Sequence, residues 1–204
     1  PTHAGAWRYT PNSADSDVSV AGWQIMALKS AKIAGLDVPP EAFDKASDYL
    51  WSMFNGTGFG YDNAGAGLAT TGVGTLCQQF MGHGSDPRIQ KALDYIHQQK
   101  VEWDKSQGWV IYAWYYFTQA MFQSGGSNWE YWNNQIRDTL VKNQTMDGPD
   151  VGHWDTPKQA GDPKEPVYST TMCILMLEVY YRYMPIMQML EGGAPVPKAT
   201  TPSR

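Results

Sequence analysis

Apolar residues recur along the chain at three- and four-residue spacing in seven blocks, separated by stretches rich in Gly and Pro. That spacing is helical, and no run shows the strict alternation of a strand. The first block, residues 17–34, carries Val20, Trp23, Ala27, Ala31 and Ala34 as one stripe. Ser16 or Asp17 can cap it, Gly35 can end it, and Pro39 and Pro40 forbid continuation. The second begins at Pro40, a favoured first-turn position, with Phe43, Ala46, Leu50 and Met53 on one face. A third spans residues 70–81. The fourth follows Ser85-Asp86-Pro87 and packs through Ile89, Ala92, Leu93 and Ile96. The fifth, residues 110–122, is apolar nearly all round. The sixth, residues 129–142, is amphipathic through Trp132, Ile136 and Leu140, and the seventh, residues 170–183, is again apolar throughout.

Helices one, three, five and seven therefore form a less polar set, and two, four and six an amphipathic one. A helix apolar on every side must be covered on every side, whereas an amphipathic one sits on a rim. Alternation of the two kinds predicts αα-hairpins in an inner and an outer layer. A Gly-rich turn bearing an aromatic precedes each inner helix, and the aromatics Trp7, Phe59, Trp109 and Trp154 follow one another at intervals near 50 residues. Such an interval holds two helices of ~11–12 residues and two loops. The expected fold is all-α: an incomplete α/α toroid of about four helical-hairpin repeats over residues 1–190. Residues 191–204, rich in Gly, Pro, Ala and Thr, read as a disordered tail or linker. The polar loop 156–166 is expected over one mouth of the array.

Composition narrows the function classes. Only 17% of residues are charged, 13% are aromatic, and the net charge is −5. The acidic balance and the lack of a basic cluster argue against a nucleic-acid partner. No apolar run is long enough for a membrane span. Cys77 and Cys173 lack zinc or redox spacing and read as small core residues. The chain opens at Pro1 without a signal-peptide pattern, which reads as a processed chain or a piece of something longer.

The stretch from Gly5-Ala6-Trp7-Arg8-Tyr9 through Asp17-Val18-Ser19-Val20 to Trp23-Gln24 resembles repeats of the squalene cyclase and protein prenyltransferase β-subunit superfamily. So do Gln144-Thr145-Met146-Asp147-Gly148 with Gly152-His153-Trp154, and the helix start Tyr168-Ser169-Thr170-Thr171. The resemblance covers about nine-tenths of the chain and is closest to bacterial repeat proteins of unassigned function. The compartment is left open by the sequence: a soluble protein, of the bacterial cytoplasm or exported, is the expectation. The resemblance also implies a ring of six hairpins, of which this chain supplies about four. The chemistry of the family does not carry over residue by residue. In the cyclase D-x-D-D motif, Asp17 matches the first carboxylate while Ser19 and Val20 occupy the next two positions; Asp15 and Asp17 together supply only D-x-D. In the prenyltransferase zinc set, Ser19 stands for the Cys and Ser169 for the His, and a neutral hydroxyl is a poor zinc ligand. No metal and no cofactor are expected.

The leading expectation is a non-catalytic binding or scaffold domain that takes an apolar or isoprenoid-like ligand and associates with itself or with further parts of a longer chain. One alternative is an enzyme of lipid metabolism using Asp15 and Asp17. Another is a carbohydrate-active toroid with His153 and Tyr168, assisted by Asp155. The residues expected around a ligand are Trp7, Tyr9, Trp23, Tyr61, Trp114, Trp154 and Tyr168. Beyond these, Trp109, Tyr112, Tyr115, Tyr116 and Phe117 exceed what a leucine-type core needs, and either line a cavity or pack as an aromatic core.

Overall fold

A computed structural model describes residues 5–10, 13–149 and 151–182. The proposed tail 191–204 lies outside the described residues. The fold is all-α. Its helices are α1 (Val18–Ile33), α2 (Pro40–Ser52), α3 (Leu68–Phe80), α4 (Pro87–His97), α5 (Val110–Ser124), α6 (Gly126–Lys142), α7 (Pro166–Leu177) and the short α8 (Val179–Arg182). Among the described residues the only β-type pairings are isolated bridges: Phe54 with Phe59 and Gly65, and Gly108 with Ala160.

The odd-numbered helices stand side by side in the order α1, α3, α5, α7. The even-numbered ones pack against them, α2 against α1 and α3, α4 against α3 and α6, and α6 against α5. Small residues let the inner helices approach closely. A Cβ on Gly22 of α1 would strike the Val73 side chain of α3, and one on Gly72 of α3 would stand 2.8 Å from Tyr116 Cβ and 2.9 Å from Phe117 Cδ1 of α5. In α5 every residue from Ala113 to Phe122 is buried, and in α3 nearly all are. The outer helices bury one stripe each: Ile89, Ala92, Leu93 and Ile96 in α4, and Trp132, Ile136 and Leu140 in α6.

Two expectations need correction. In α1 the buried face is Val18, Ala21, Gly22 and Ile25. Trp23, 46% exposed, lies with Ala27 and Ala34 on the open side. This helix has apolar residues on both faces, and the small face wins because it admits α3. The second correction concerns α7, which begins four residues early, at Pro166, and leaves Val167 and Ile174 exposed. Being apolar all round does not bury it all round: among the described residues its main helical neighbour is α5.

Two of the aromatic turns repeat a hydrogen-bond pattern. The Trp7 carbonyl accepts the N–H of the α1 cap residue Asp17, and the Phe59 carbonyl accepts that of the α3 cap residue Gly67. Phe59 and Trp154 share a second pattern. The N–H of each donates to a threonine hydroxyl, Thr71 or Thr170, while its carbonyl accepts the hydroxyl just before, Thr70 or Ser169. The aromatic turns at Trp7, Phe59 and Trp154 are thus tied to the first turns of the helices that follow them.

Candidate functional site: an aromatic cavity at the helix starts

The N-terminal ends of α1, α3, α5 and α7 meet at a cavity of about 810 Å³. Ser19, Val20 and Trp23 come from α1, Leu68, Ala69 and Thr70 from α3, Gly108, Trp109 and Tyr112 from the start of α5, and Tyr168 from α7. Tyr9 and Tyr61, from two of the aromatic turns, complete the rim. Among the described residues that line it, none bears a carboxylate, ammonium, guanidinium or imidazole. Six lining side chains are aromatic. Trp23 also stacks on Tyr115 (ring centroids 6.4 Å) and meets Tyr116 edge-on, so the wall continues into the core.

The rim is organised by Arg8. Its guanidinium pairs with Asp17 Oδ2 at 2.6 Å, donates to the Tyr61 hydroxyl at 3.2 Å, and lies 5.3 Å from the Tyr9 ring centroid and 5.5 Å from that of Tyr61. A weaker pair joins it to Asp15, whose side chain is 71% exposed. Burial, then the neighbouring Tyr9 hydroxyl, push the Tyr61 phenol up to about 12.

Across the cavity, residues 156–165 form a strap over the start of α5. The Gly161 N–H donates to the Gly108 carbonyl at 2.6 Å, a position where Gly108 has φ of 79°. Asp162, buried, accepts the N–H of Ile111 and of Tyr112 and the hydroxyl of Tyr168, each at 3.1 Å. It thereby caps α5, whose own cap residue Trp109 offers no side-chain acceptor. Within the strap, Lys164 Nζ donates to the carbonyls of Pro157 (3.0 Å) and Ala160 (2.7 Å), and Thr156 Oγ1 to that of Pro163. Burial raises the phenols of Tyr112 and Tyr168 above their ordinary value, and the Asp162 charge adds to the rise at Tyr168. These groups therefore donate hydrogen bonds at neutral pH rather than take protons.

Of the residues expected around a ligand, Tyr9, Trp23, Tyr61 and Tyr168 line the cavity. Trp7, Trp114 and Trp154 do not. Trp114 is core, packed on Trp103, and Trp154 is buried with its indole N–H on the Leu140 carbonyl at 2.8 Å. The aromatic run of the fifth helix divides. Trp109 and Tyr112 line the cavity, whereas Tyr115, Tyr116 and Phe117 are buried.

Asp17 is fully buried as the α1 cap, accepting the Val20 N–H at 2.8 Å, and neither it nor Asp15 is among the lining residues. His153 stands 3.3 Å from Asp155 and lines a separate surface depression with Pro166, Val167, Thr170 and Thr171, so it does not converge with Tyr168. Ser19 faces the cavity, while Ser169 is buried on the Trp154 carbonyl. Among the described residues no group of three His, Cys, Asp or Glu is placed to hold a metal ion. Both cysteines are buried thiols, and burial pushes Cys77 up to about 12.

Sequence reasoning missed Asp162, and gave no sign that it and Trp109 belong to one corner of the site. The Asp-Pro step within the loop 156–166 was the available signal for Asp162, but its partners lie some 50 residues earlier. No known protein-family model matches the chain, and no curated protein matches it.

Proposed function

We propose that the chain is a non-catalytic binding domain of the α/α-toroid type, related to the terpenoid cyclase and prenyltransferase repeat proteins, and that it takes an apolar, isoprenoid-like small molecule at the mouth formed by α1, α3, α5 and α7. The observation that carries this is an uncharged, aromatic cavity built where four helix starts meet. Its volume falls within the ~300–1,000 Å³ usual for small-molecule sites. Ring faces suit flat or unsaturated hydrocarbon, and the raised tyrosine hydroxyls can orient one polar end. Among the described lining residues there is no carboxylate, amine or imidazole, which supports binding over acid–base chemistry. The toroid part of the reading is supported by the alternation of inner and outer helices and by the recurring bonds of the aromatic turns.

Titration with geranylgeraniol, followed by tryptophan fluorescence, tests this. Saturable quenching is expected, with Trp23→Ala weakening it by about tenfold, the equivalent of ~1.4 kcal/mol. Non-saturable uptake, or an unchanged Trp23→Ala variant, would end the proposal. Exposed Trp23 and Trp109 favour one second reading, stacking of a sugar ring. Saturation by maltoheptaose but not by geranylgeraniol would select it.

A further inference from the structure

The binding reading needs a wall whose position is fixed, and the start of α5 has no side-chain cap of its own. Trp109, its cap residue, makes no side-chain cap bond, and Gly108 before it has a backbone that tolerates many conformations. What holds this corner comes from the strap. We infer that Asp162 is the positioning residue of the cavity: it locks the start of α5 and Tyr168 of α7 into a single wall, so that strap docking and ligand binding are thermodynamically linked.

Three features carry the inference. First, Asp162 uses both carboxylate oxygens, Oδ2 on Ile111 N–H and Oδ1 on Tyr112 N–H and the Tyr168 hydroxyl. Two lining residues from different helices, Tyr112 and Tyr168, therefore share one acceptor atom. Second, the strap is braced internally by the bonds of Lys164 and Thr156 to its own carbonyls. Third, the polar bonds that tie it to the start of α5 are few: the Gly161–Gly108 bond, the Asp162 carboxylate and an exposed Gln107–Gln159 contact, with Ala160 buried in the core beside them. A braced segment held by few bonds behaves as one two-state element, docked or released. Releasing it uncaps α5 and frees Tyr168 together, which displaces Gly108, Trp109, Tyr112 and Tyr168 from the wall. A ligand that touches these residues binds the docked state better and must stabilise it by the same factor.

The test uses Asp162→Asn and Tyr168→Phe. The Asn amide keeps one acceptor and turns a donor toward the other partner, an N–H on α5 or the Tyr168 hydroxyl. Without ligand, hydrogen exchange of the Ile111 and Tyr112 amides and of the strap is expected to quicken in Asp162→Asn, while α1 and α3 keep their protection. With geranylgeraniol as probe, Asp162→Asn is expected to bind about tenfold more weakly, and wild-type protein to slow strap exchange on binding. Ile136→Val, a destabilising change in the outer layer, should leave the affinity as it was. If Asp162→Asn does not fold, Tyr168→Phe removes one bond only and is expected to loosen the strap and weaken probe binding in the same direction. Unchanged strap exchange in both variants overturns the inference. So does weaker binding in Ile136→Val matching that in Asp162→Asn, since affinity would then follow global stability. The inference rests on the proposed binding function. The two fail separately, because strap exchange without ligand reads the latch and saturable binding by wild-type protein reads the site.

Discussion

Asp17 was a candidate catalytic residue by motif and is a buried cap by position, and substitution separates the two roles. Its side chain is fully buried, accepts the Val20 N–H at 2.8 Å and pairs with Arg8 at 2.6 Å. Asp17→Ala loses both bonds. The cap contributes about 1 kcal/mol, within a range of roughly 0.5–2. Removing one member of a wholly buried pair costs about 3–5 kcal/mol, because the partner is left unpaired. Arg8 is less constrained than that: its side chain is 25% exposed and keeps Asp15 and Tyr61 as partners. The pair is therefore worth about 1–2 kcal/mol here, below the fully buried figure. The expected total for Asp17→Ala is about 2–4 kcal/mol, or roughly 4–16 °C in Tm at ~2–4 °C per kcal/mol. Asp17→Asn keeps the cap, since Asn caps about as well as Asp, and loses only the charge, so it should cost about 1–2 kcal/mol. Urea and thermal unfolding of both variants, with Arg8→Met and the double variant, close the cycle. Asp17→Asn as stable as wild type would refute the ion-pair part. Equal losses in Asn and Ala would refute the cap.

Gly72→Ala should destabilise by about 1–2 kcal/mol despite the better helix propensity of Ala, because overpacking costs roughly 1–3 against a propensity gain of ~0.5–1; the new Cβ meets Tyr116 and Phe117 of α5. A rise in Tm would show that the α3–α5 contact relaxes freely. Asp86, the α4 cap, has its carboxyl lowered to about 2 by the Arg88 guanidinium and backbone N–H. A depressed folded value means stability that is present above the unfolded value near 3.9 and lost as pH falls through about 2. The exposure of the pair limits this to under ~1 kcal/mol, and Asp86→Asn should flatten the acid limb of urea midpoints over that window.

The outer layer was readable because each of its helices has one apolar stripe and a polar remainder. Periodicity then has a single answer, as with Ile89, Ala92, Leu93 and Ile96 or Trp132, Ile136 and Leu140. In α1 the pattern offered two faces, and Trp23 drew the assignment to the wrong one. Hydrophobicity ranks Trp above Gly, but packing against α3 needs the small face of Ala21 and Gly22. Pro166 starts α7 as Pro40 and Pro87 start α2 and α4, but the polar loop before it carries no apolar stripe to mark the boundary. The rim aromatics Tyr9 and Tyr61 could be found because turn aromatics recur along the sequence. Asp162 could not, because it caps a helix that precedes it by some 50 residues, and no local spacing encodes that distance.

Two carboxylates bonded to the cavity walls, Asp17 and Asp162, are both committed inward, one to Val20 N–H and Arg8, the other to Ile111, Tyr112 and Tyr168. Their charges go into fixing the walls, and the surface left for a ligand is uncharged. This dictates how binding should respond to conditions. Salt screens interactions between exposed charges over a Debye length of about 8–10 Å, so a neutral ligand against neutral rings has little to lose. Protonation should matter equally little. Of the lining phenols, Tyr61 is pushed up to about 12, and Tyr112 and Tyr168 are raised by burial, so all three keep their protons well beyond neutrality. Geranylgeraniol affinity is therefore expected to stay within about twofold between pH 6 and 9 and between roughly 0.05 and 0.5 M salt. Binding should weaken only at higher pH, as the tyrosines begin to ionise and charge appears in an apolar wall. Fluorescence titration across that grid decides it. A steep salt dependence, or a midpoint near pH 6.5 where imidazole titrates, would mean that a charged group such as His153 takes part and that the cavity is not the site.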